Sequence, residues 1–221
     1  CTNLHGKYLE EIEKIYHNQK EEIVCFGANV NPLGLSAQVK KTTFEHLDII
    51  TAYPDRKYSS LRQAIGQYCD IDPNYIVVGN GSTELISLLI QHRTPKSALL
   101  LGPTYSEYER ELSLCGGKLS YYTLSAAKDF QLDVSDFCQN LNHTIDLLII
   151  CNPNNPTSSA ISVSDLKHRS DLSEVGIFVM IDETYIEFAS SIPALSAVCL
   201  VPDYDNLMVL RGVSKFFAAP A

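Results

Sequence analysis

The sequence predicts an α/β chain built in three layers, a mostly parallel sheet with helices on both faces. Three observations carry this. From about residue 75 onward, short apolar runs alternate with helical stretches, the pattern of parallel strands joined by helical crossovers. Each apolar run is only a few residues long, too short for a buried helix, and most are rich in Leu, Ile and Val. Finally, 45% of the 221 residues are hydrophobic and 19% are charged, enough to bury a sizeable core, with no internal repeat and no low-complexity linker.

The expected strands are Tyr75 to Val78, Ala98 to Leu101, Leu119 to Tyr122, Ile145 to Ile150, Ile177 to Ile181 and Leu207 to Leu210. Between them, helices are expected at Ser82 to Gln91, with Ser82 as N-cap, at Tyr105 to Leu114 and at Ser164 to Leu172. Ahead of residue 75 the order differs: a helix at about 7–19, a short strand at Ile23 to Phe26, a Pro/Gly loop at Asn29 to Gly34 and two further helical patterns. The last residues, Lys215 to Ala221, have a loop-like composition without a cap or charged tail, and read as a break within a longer protein.

Charge and composition exclude several function classes. With 17 basic and 26 acidic residues the net charge is −9, and no Lys/Arg block stands out, which argues against nucleic acid or an anionic membrane as partner. The apolar runs are of strand length, and the N-terminus has neither the basic nor the apolar region of a secretory signal. The seven cysteines (Cys1, Cys25, Cys69, Cys115, Cys138, Cys151, Cys199) are odd in number and contain no C-x-x-C, so they read as reduced thiols of a cytoplasmic protein. The six histidines have no metal-binding spacing, and no metal centre is expected.

In an open α/β sheet, ligands bind beyond the carboxyl ends of the strands, and five such ends carry polar motifs. Gly79-Asn80-Gly81-Ser82-Thr83-Glu84 offers close backbone approach and a helix start with free N–H groups, a phosphate cradle; a capped strand-to-helix turn would look the same. It lacks the third glycine of a dinucleotide fingerprint and the Gly-Lys-Ser/Thr of a P-loop, which weakens a nicotinamide dehydrogenase reading. Gly102-Pro103-Thr104-Tyr105 presents a ring able to stack on a planar heterocycle, or a core tyrosine. Cys151 to Thr157 contains two Asn-Pro steps able to aim an amide at a ligand oxygen, or simply to make a turn. Asp182-Glu183-Thr184-Tyr185 puts an acid at the end of an apolar run, where it needs a cationic partner or hydrogen bonds. Arg211 to Lys215 ends in a lysine able to form a Schiff base, although a single lysine is more often a surface residue. Together these groups are what pyridoxal phosphate chemistry requires. An acid keeps the pyridine nitrogen protonated, a lysine holds the aldehyde, and an amide and a tyrosine hydroxyl bind the ring oxygen.

These motifs, with Tyr53-Pro54-Asp55 and Ser214-Lys215, resemble in order and spacing the fold type I pyridoxal-phosphate enzymes of the class I/II aminotransferase group, over residues 5–221. The likeness is greatest to the threonine-phosphate decarboxylase and histidinol-phosphate aminotransferase branch. It implies pyridoxal 5'-phosphate as cofactor and a large cofactor-binding domain over 51–221, broken off before a C-terminal small domain. Residues 1–50 would be an N-terminal arm and part of that small domain. Lys215, Asp182 and Tyr185 are implied as catalytic: Lys215 as the Schiff-base lysine and proton shuttle, Asp182 as the partner of the pyridine nitrogen. Asn155 and Tyr185 would bind the ring oxygen and Tyr105 would stack on the ring. Gly81, Ser82, Thr83 and Ser214 would hold the cofactor phosphate, and Tyr53 would reach the cofactor phosphate of a neighbouring subunit in a homodimer with shared active sites.

The chain departs from this pattern in having Ser158 where Gly follows Pro-Thr, and Gly212 where Thr often stands two residues before Ser-Lys. The family's arginines for the cofactor phosphate and for the substrate carboxylate would fall beyond Ala221. His5-Gly6, the stretch Phe26 to Gly34 and Lys215-Phe216-Phe217-Ala218-Ala219-Pro220 resemble the decarboxylases more than the aminotransferases, which usually carry Glu where Val30 stands. The expected substrate is a small phosphorylated amino acid or amine, with a second anion site that involves Asn29 to Gly34. A non-catalytic regulator on the same scaffold would not be expected to keep Lys215, Asp182 and Asn155 together.

Overall fold

The computed structural model describes residues 9–17, 27–141, 144–167 and 176–220. The motif His5-Gly6, the expected strand Ile23 to Phe26 and the stretch from 168 to Leu172 lie outside them.

Among the described residues, five strands form one parallel sheet: β1 (Ser97–Gly102), β2 (Lys118–Thr123), β3 (Leu147–Cys151), β4 (Phe178–Asp182) and β5 (Leu207–Leu210), in the order β2-β1-β3-β4-β5. Among the described residues eight α-helices accompany them: α1 (Leu9–Tyr16), α2 (Ala37–Glu45), α3 (Ser59–Cys69), α4 (Gly81–Arg93), α5 (Glu107–Leu114), α6 (Val134–Asn140), α7 (Val163–Lys167) and α8 (Ile192–Leu195). None is long and apolar enough to cross a membrane.

Strand side chains alternate between the two faces, and the core divides accordingly. Leu99, Leu101, Leu148, Ile150, Val179 and Ile181 pack on one face with Phe137 of α6 and the partly buried Leu166 of α7. Ala98, Leu100, Leu147, Ile149, Met180 and Leu210 pack on the other with Ile86 and Ile90 of α4 and Tyr108 and Leu112 of α5. The three layers are thus a sheet buried on both sides, as the near-continuous apolar runs require.

Two expectations need correction. Ile76 to Val78 is no strand: Pro73–Tyr75 forms a short 3-10 turn with Asp72 capping Asn74 N–H, and the residues that follow pair with no strand among the described residues. Val77 is left 78% exposed. An apolar run becomes a strand only where a neighbouring strand completes its ladder. Ser82 is not the N-cap either; it lies inside the first turn of α4, and Asn80 is the cap. The Glu84 carboxylate accepts the Asn80 backbone N–H at 2.5 Å, which closes the turn before Ser82 is reached. The helix predicted from Tyr105 starts at Glu107, and the strand predicted from Ile145 starts at Leu147.

Candidate active site

Chain order places the site. From β1 the chain crosses to β2 on one side, and then returns past β1 to β3, β4 and β5 on the other. The loops after β1 and β3 therefore diverge and leave a crevice at the carboxyl ends of these strands. Across it, Asn154 Nδ2 donates to the Pro103 carbonyl at 2.9 Å and to Thr157 Oγ1 at 2.7 Å, while its Oδ1 accepts the Thr104 hydroxyl at 2.9 Å. Asn152 is fully buried and equally committed: its amide donates to the carbonyls of Ile161 and Leu195, and its Oδ1 accepts the Ile161 N–H. Of the three asparagines in the motif, only Asn155 has a side-chain amide without a hydrogen bond among the described residues, half-buried at the crevice.

Cys151, Asp182 and Leu210 lie on one row across β3, β4 and β5. Asp182 is 3% exposed, and its carboxylate is held on both oxygens. Oδ1 accepts the Thr184 backbone N–H at 2.9 Å and the Thr184 hydroxyl at 2.6 Å; Oδ2 accepts the Tyr108 hydroxyl at 2.6 Å. Burial and the neighbouring carboxylate hold the Tyr108 phenol well above the ordinary tyrosine range, so it remains a donor. Burial likewise pushes the Cys151 thiol up to about 12, with Asp182 adding to the effect, so Cys151 is an inert filler. Tyr105 packs edge-on against Tyr108 with ring centroids 5.5 Å apart. Its pKa is raised, chiefly by burial.

Lys215 follows β5 in a turn and is half-buried. Burial lowers its pKa, and the Asp182 carboxylate pulls the other way, so amine and acid feel each other. Its Nζ donates to the Ala28 carbonyl at 2.9 Å. The arm is tied to the same turn by Asn31, whose backbone N–H and side-chain amide donate to the carbonyls of Lys215 and Phe216. Asn29, with φ of 51°, reaches the Tyr185 hydroxyl at 3.4 Å. Burial raises the pKa of Tyr185.

Asp182, Tyr105, Tyr185, Asn155 and Lys215 thus gather about one crevice. Ser214 adjoins it: its hydroxyl and that of Thr184 each stand 3.8 Å from where a Cβ on Gly212 would sit. Gly81, Ser82 and Thr83 form the first turn of α4, without a hydrogen bond to the cluster among the described residues. Gly81 has φ of +77°, a conformation that disfavours any side chain, and nothing lies within 4 Å of where its Cβ would be. That leaves an open backbone cradle. Tyr53 is fully exposed and is not brought to the cluster within this chain.

A cavity of about 730 Å³ adjoins Tyr185 and Asn155, walled by Asn29, Val30, Pro32, Ser158 and Phe188 among others. None of the described residues lining it is basic, so the arm supplies amides rather than a cation to any anion site there.

Reading strand ends missed Tyr108 and Thr184 as parts of the site. Tyr108 was within reach, since it follows Tyr105 by three residues, the spacing that puts two side chains on one helical face. Nothing in the local sequence signals that Ala28 and Asn31 fold back onto Lys215.

Comparison with known proteins gives the same assignment. Residues 21–221 match the profile of the family described as aminotransferase class I and II. The chain is 31% identical to a threonine-phosphate decarboxylase of Salmonella typhimurium, over 99% of this chain and 60% of that protein. It is also 31% identical to a histidinol-phosphate aminotransferase of Methanococcus aeolicus, over 96% of this chain and 57% of that protein. Among solved structures, the histidinol-phosphate aminotransferase from Clostridium acetobutylicum superposes with a TM-score of 0.77 at 31% identity, covering 87% of this chain and 56% of its own. The chain therefore spans about three fifths or less of the length of these relatives. With its parallel sheet, strand-end motifs and residues 21–221 all in agreement, the chain belongs to the class I and II aminotransferase family.

Proposed function

We propose that the full-length protein is a pyridoxal-phosphate enzyme acting on a small phosphorylated amino acid, with threonine-phosphate decarboxylation as its reaction. The observation that carries the cofactor assignment is the buried Asp182 carboxylate, fixed on both oxygens and electrostatically coupled to a half-buried lysine whose pKa is lowered. The open backbone at Gly81 and the uncommitted amide of Asn155 fit the phosphate and the ring oxygen of the same group. Bound there, pyridoxal phosphate supplies an aldehyde for the substrate amine and a ring that withdraws electrons from a bond broken at Cα.

The protein's own residues orient and protonate. Asp182 holds a positive charge at the ring nitrogen, and Tyr108 and Thr184 keep the carboxylate aimed. Asn155 and Tyr185 donate to the ring oxygen. Tyr105 stacks on the ring, and Gly81, Ser82, Thr83 and Ser214 bind the phosphate. Lys215, with its lowered pKa, gives up and takes back a proton more readily than an exposed lysine. Tyr53, fully exposed in this chain, is free to reach a second subunit, which supports a homodimer with shared sites. The net charge of −9 and the free thiols of Cys69, Cys115, Cys151 and Cys199 support a cytoplasmic protein with neither nucleic acid nor membrane as partner.

Decarboxylation is favoured by the arm. Val30 puts an apolar side chain in the wall of the cavity beside Tyr185, where the aminotransferases resembled in sequence usually have a carboxylate. Transamination of histidinol phosphate is the second reading, supported by relatives of that name at the same 31% identity. The test gives the full-length, cofactor-loaded protein O-phosphothreonine alone and follows CO₂. Histidinol phosphate with 2-oxoglutarate runs in parallel. CO₂ without a keto acid supports the first reading, and glutamate formed only in the second vessel supports the other. Borohydride reduction of the loaded protein followed by peptide mapping should find the adduct on Lys215; an adduct elsewhere would overturn the cofactor assignment.

A further inference from the structure

Behind the crevice lies a charged group that the proposed chemistry does not use. Arg211, at the end of β5, reaches back to two glutamates of the loop after β4: Nη1 donates to Glu183 Oε2 at 3.3 Å and Nη2 to Glu187 Oε1 at 2.5 Å. The arginine side chain is 17% exposed, and those of Glu183 and Glu187 are 0% and 4%. Glu183 also accepts the Ser196 hydroxyl and the Ala197 N–H, and Tyr68 of α3 lies 6.0 Å from the guanidinium. The fit is incomplete: Glu187 Oε2 and Arg211 Nε are buried without a hydrogen-bond partner among the described residues.

Such a group is a poor source of stability. Desolvating three charges costs about as much as their attraction returns, and neutral side chains of similar volume often replace buried ion groups without loss. Its position is more telling. Glu183 follows Asp182, Glu187 lies two residues beyond Tyr185, and Arg211 lies four before Lys215. Among the described residues, every side-chain hydrogen bond between the 182–188 loop and the 211–217 turn comes from Arg211. One planar fork fixes two separate carboxylates in direction as well as distance, which a lysine ammonium would not do.

We infer that Arg211, through Glu183 and Glu187, is a positioning residue that sets where Lys215 stands relative to Asp182 and Tyr185. This rests on the cofactor reading above. It predicts that removing the clamp loosens the grip on pyridoxal phosphate without unfolding the protein.

The experiment uses the full-length protein and the neutral variant Arg211→Met/Glu183→Gln/Glu187→Gln, with Arg211→Lys, Arg211→Met and Glu187→Gln alone. Three quantities are measured: the thermal midpoint without cofactor, the dissociation constant for pyridoxal phosphate, and the absorption maximum of the lysine-attached cofactor. The neutral variant should melt within a few degrees of the parent, bind the cofactor about 10-fold or more weakly, and show a displaced absorption maximum. Arg211→Lys should fall between the parent and Arg211→Met. Parent-like affinity and spectrum in the neutral variant would overturn the inference. Should that variant fail to fold, parent-like values in Glu187→Gln and Arg211→Lys would overturn it equally. Loss of attachment at Lys215 in the parent would remove the cofactor reading and this inference with it; attachment there with unchanged variants removes this inference alone.

Discussion

The Tyr108 hydroxyl donates to Asp182 Oδ2 at 2.6 Å in a position that solvent does not reach. The donor comes from α5 and the acceptor from the end of β4, so this one bond joins a helix on one face of the sheet to the strand end that carries the acid. Tyr108→Phe keeps the ring and its packing but leaves a buried carboxylate oxygen short of a donor. The expected loss is about 1.5–3 kcal/mol, the range for hydrogen bonds to charged groups, read as a shift of the urea midpoint at unchanged slope. A midpoint that does not move would say that the Thr184 donors suffice.

The asparagines after β3 separate scaffold from site. Asn152→Ala removes three hydrogen bonds at a fully buried position and strands the carbonyls of Ile161 and Leu195. It should cost about 3 kcal/mol or more. Asn155→Ala removes no protein hydrogen bond of its side chain and should change stability by less than about 0.5 kcal/mol, while weakening retention of pyridoxal phosphate. Chemical denaturation and cofactor titration of the two variants check this, and equal destabilisation by both would remove the distinction.

These contrasts mark how far the sequence could be read. The strands at Ala98 to Leu101 and Ile177 to Ile181 were legible because a parallel sheet buried on both faces is written as unbroken apolar runs. The same rule misread Ile76 to Val78, where no strand completes the ladder among the described residues; pairing is a property of two segments, and a run reports on one. Asp182 and Lys215 were legible because ionisable residues at the ends of apolar runs need a reason. Arg211 was not, although it stands in the same motif as Lys215, because its partners are Glu183 and Glu187 from another strand end. The strap of Ala28 and Asn31 over Lys215 spans most of the chain, and no local pattern encodes it.

The coupling of Lys215 to Asp182 has a pH signature. Burial lowers the lysine pKa below the ordinary 10.5, and the carboxylate offsets part of that. In the cofactor-free protein, competitive acylation of Lys215 followed by mass spectrometry should show an inflection below that of exposed lysines. Asp182→Asn removes the offset and should move the inflection to still lower pH. A lowered pKa means that the folded protein binds fewer protons than the unfolded chain between the two values. The Lys215 contribution to stability therefore rises with pH from its lowered pKa up to about 10.5. An inflection that moves upward in Asp182→Asn would contradict the sign.

Gly212 offers a gain rather than a loss. Its backbone is not left-handed, and a Cβ there would stand 3.8 Å from Thr184 and from Ser214 Oγ, an ordinary contact distance. Gly212→Thr should therefore be accepted with a stability change within about 0.5 kcal/mol, since lost chain entropy in the unfolded state offsets any crowding. The new hydroxyl would lie beside Ser214, on the side assigned to the cofactor phosphate. Pyridoxal phosphate should then dissociate more slowly from the variant than from the parent, while free pyridoxal, which lacks the phosphate, should bind both alike. If pyridoxal gains as much as its phosphate does, the added group acts on the ring or on Lys215, and the assignment of Ser214 to the phosphate falls with it.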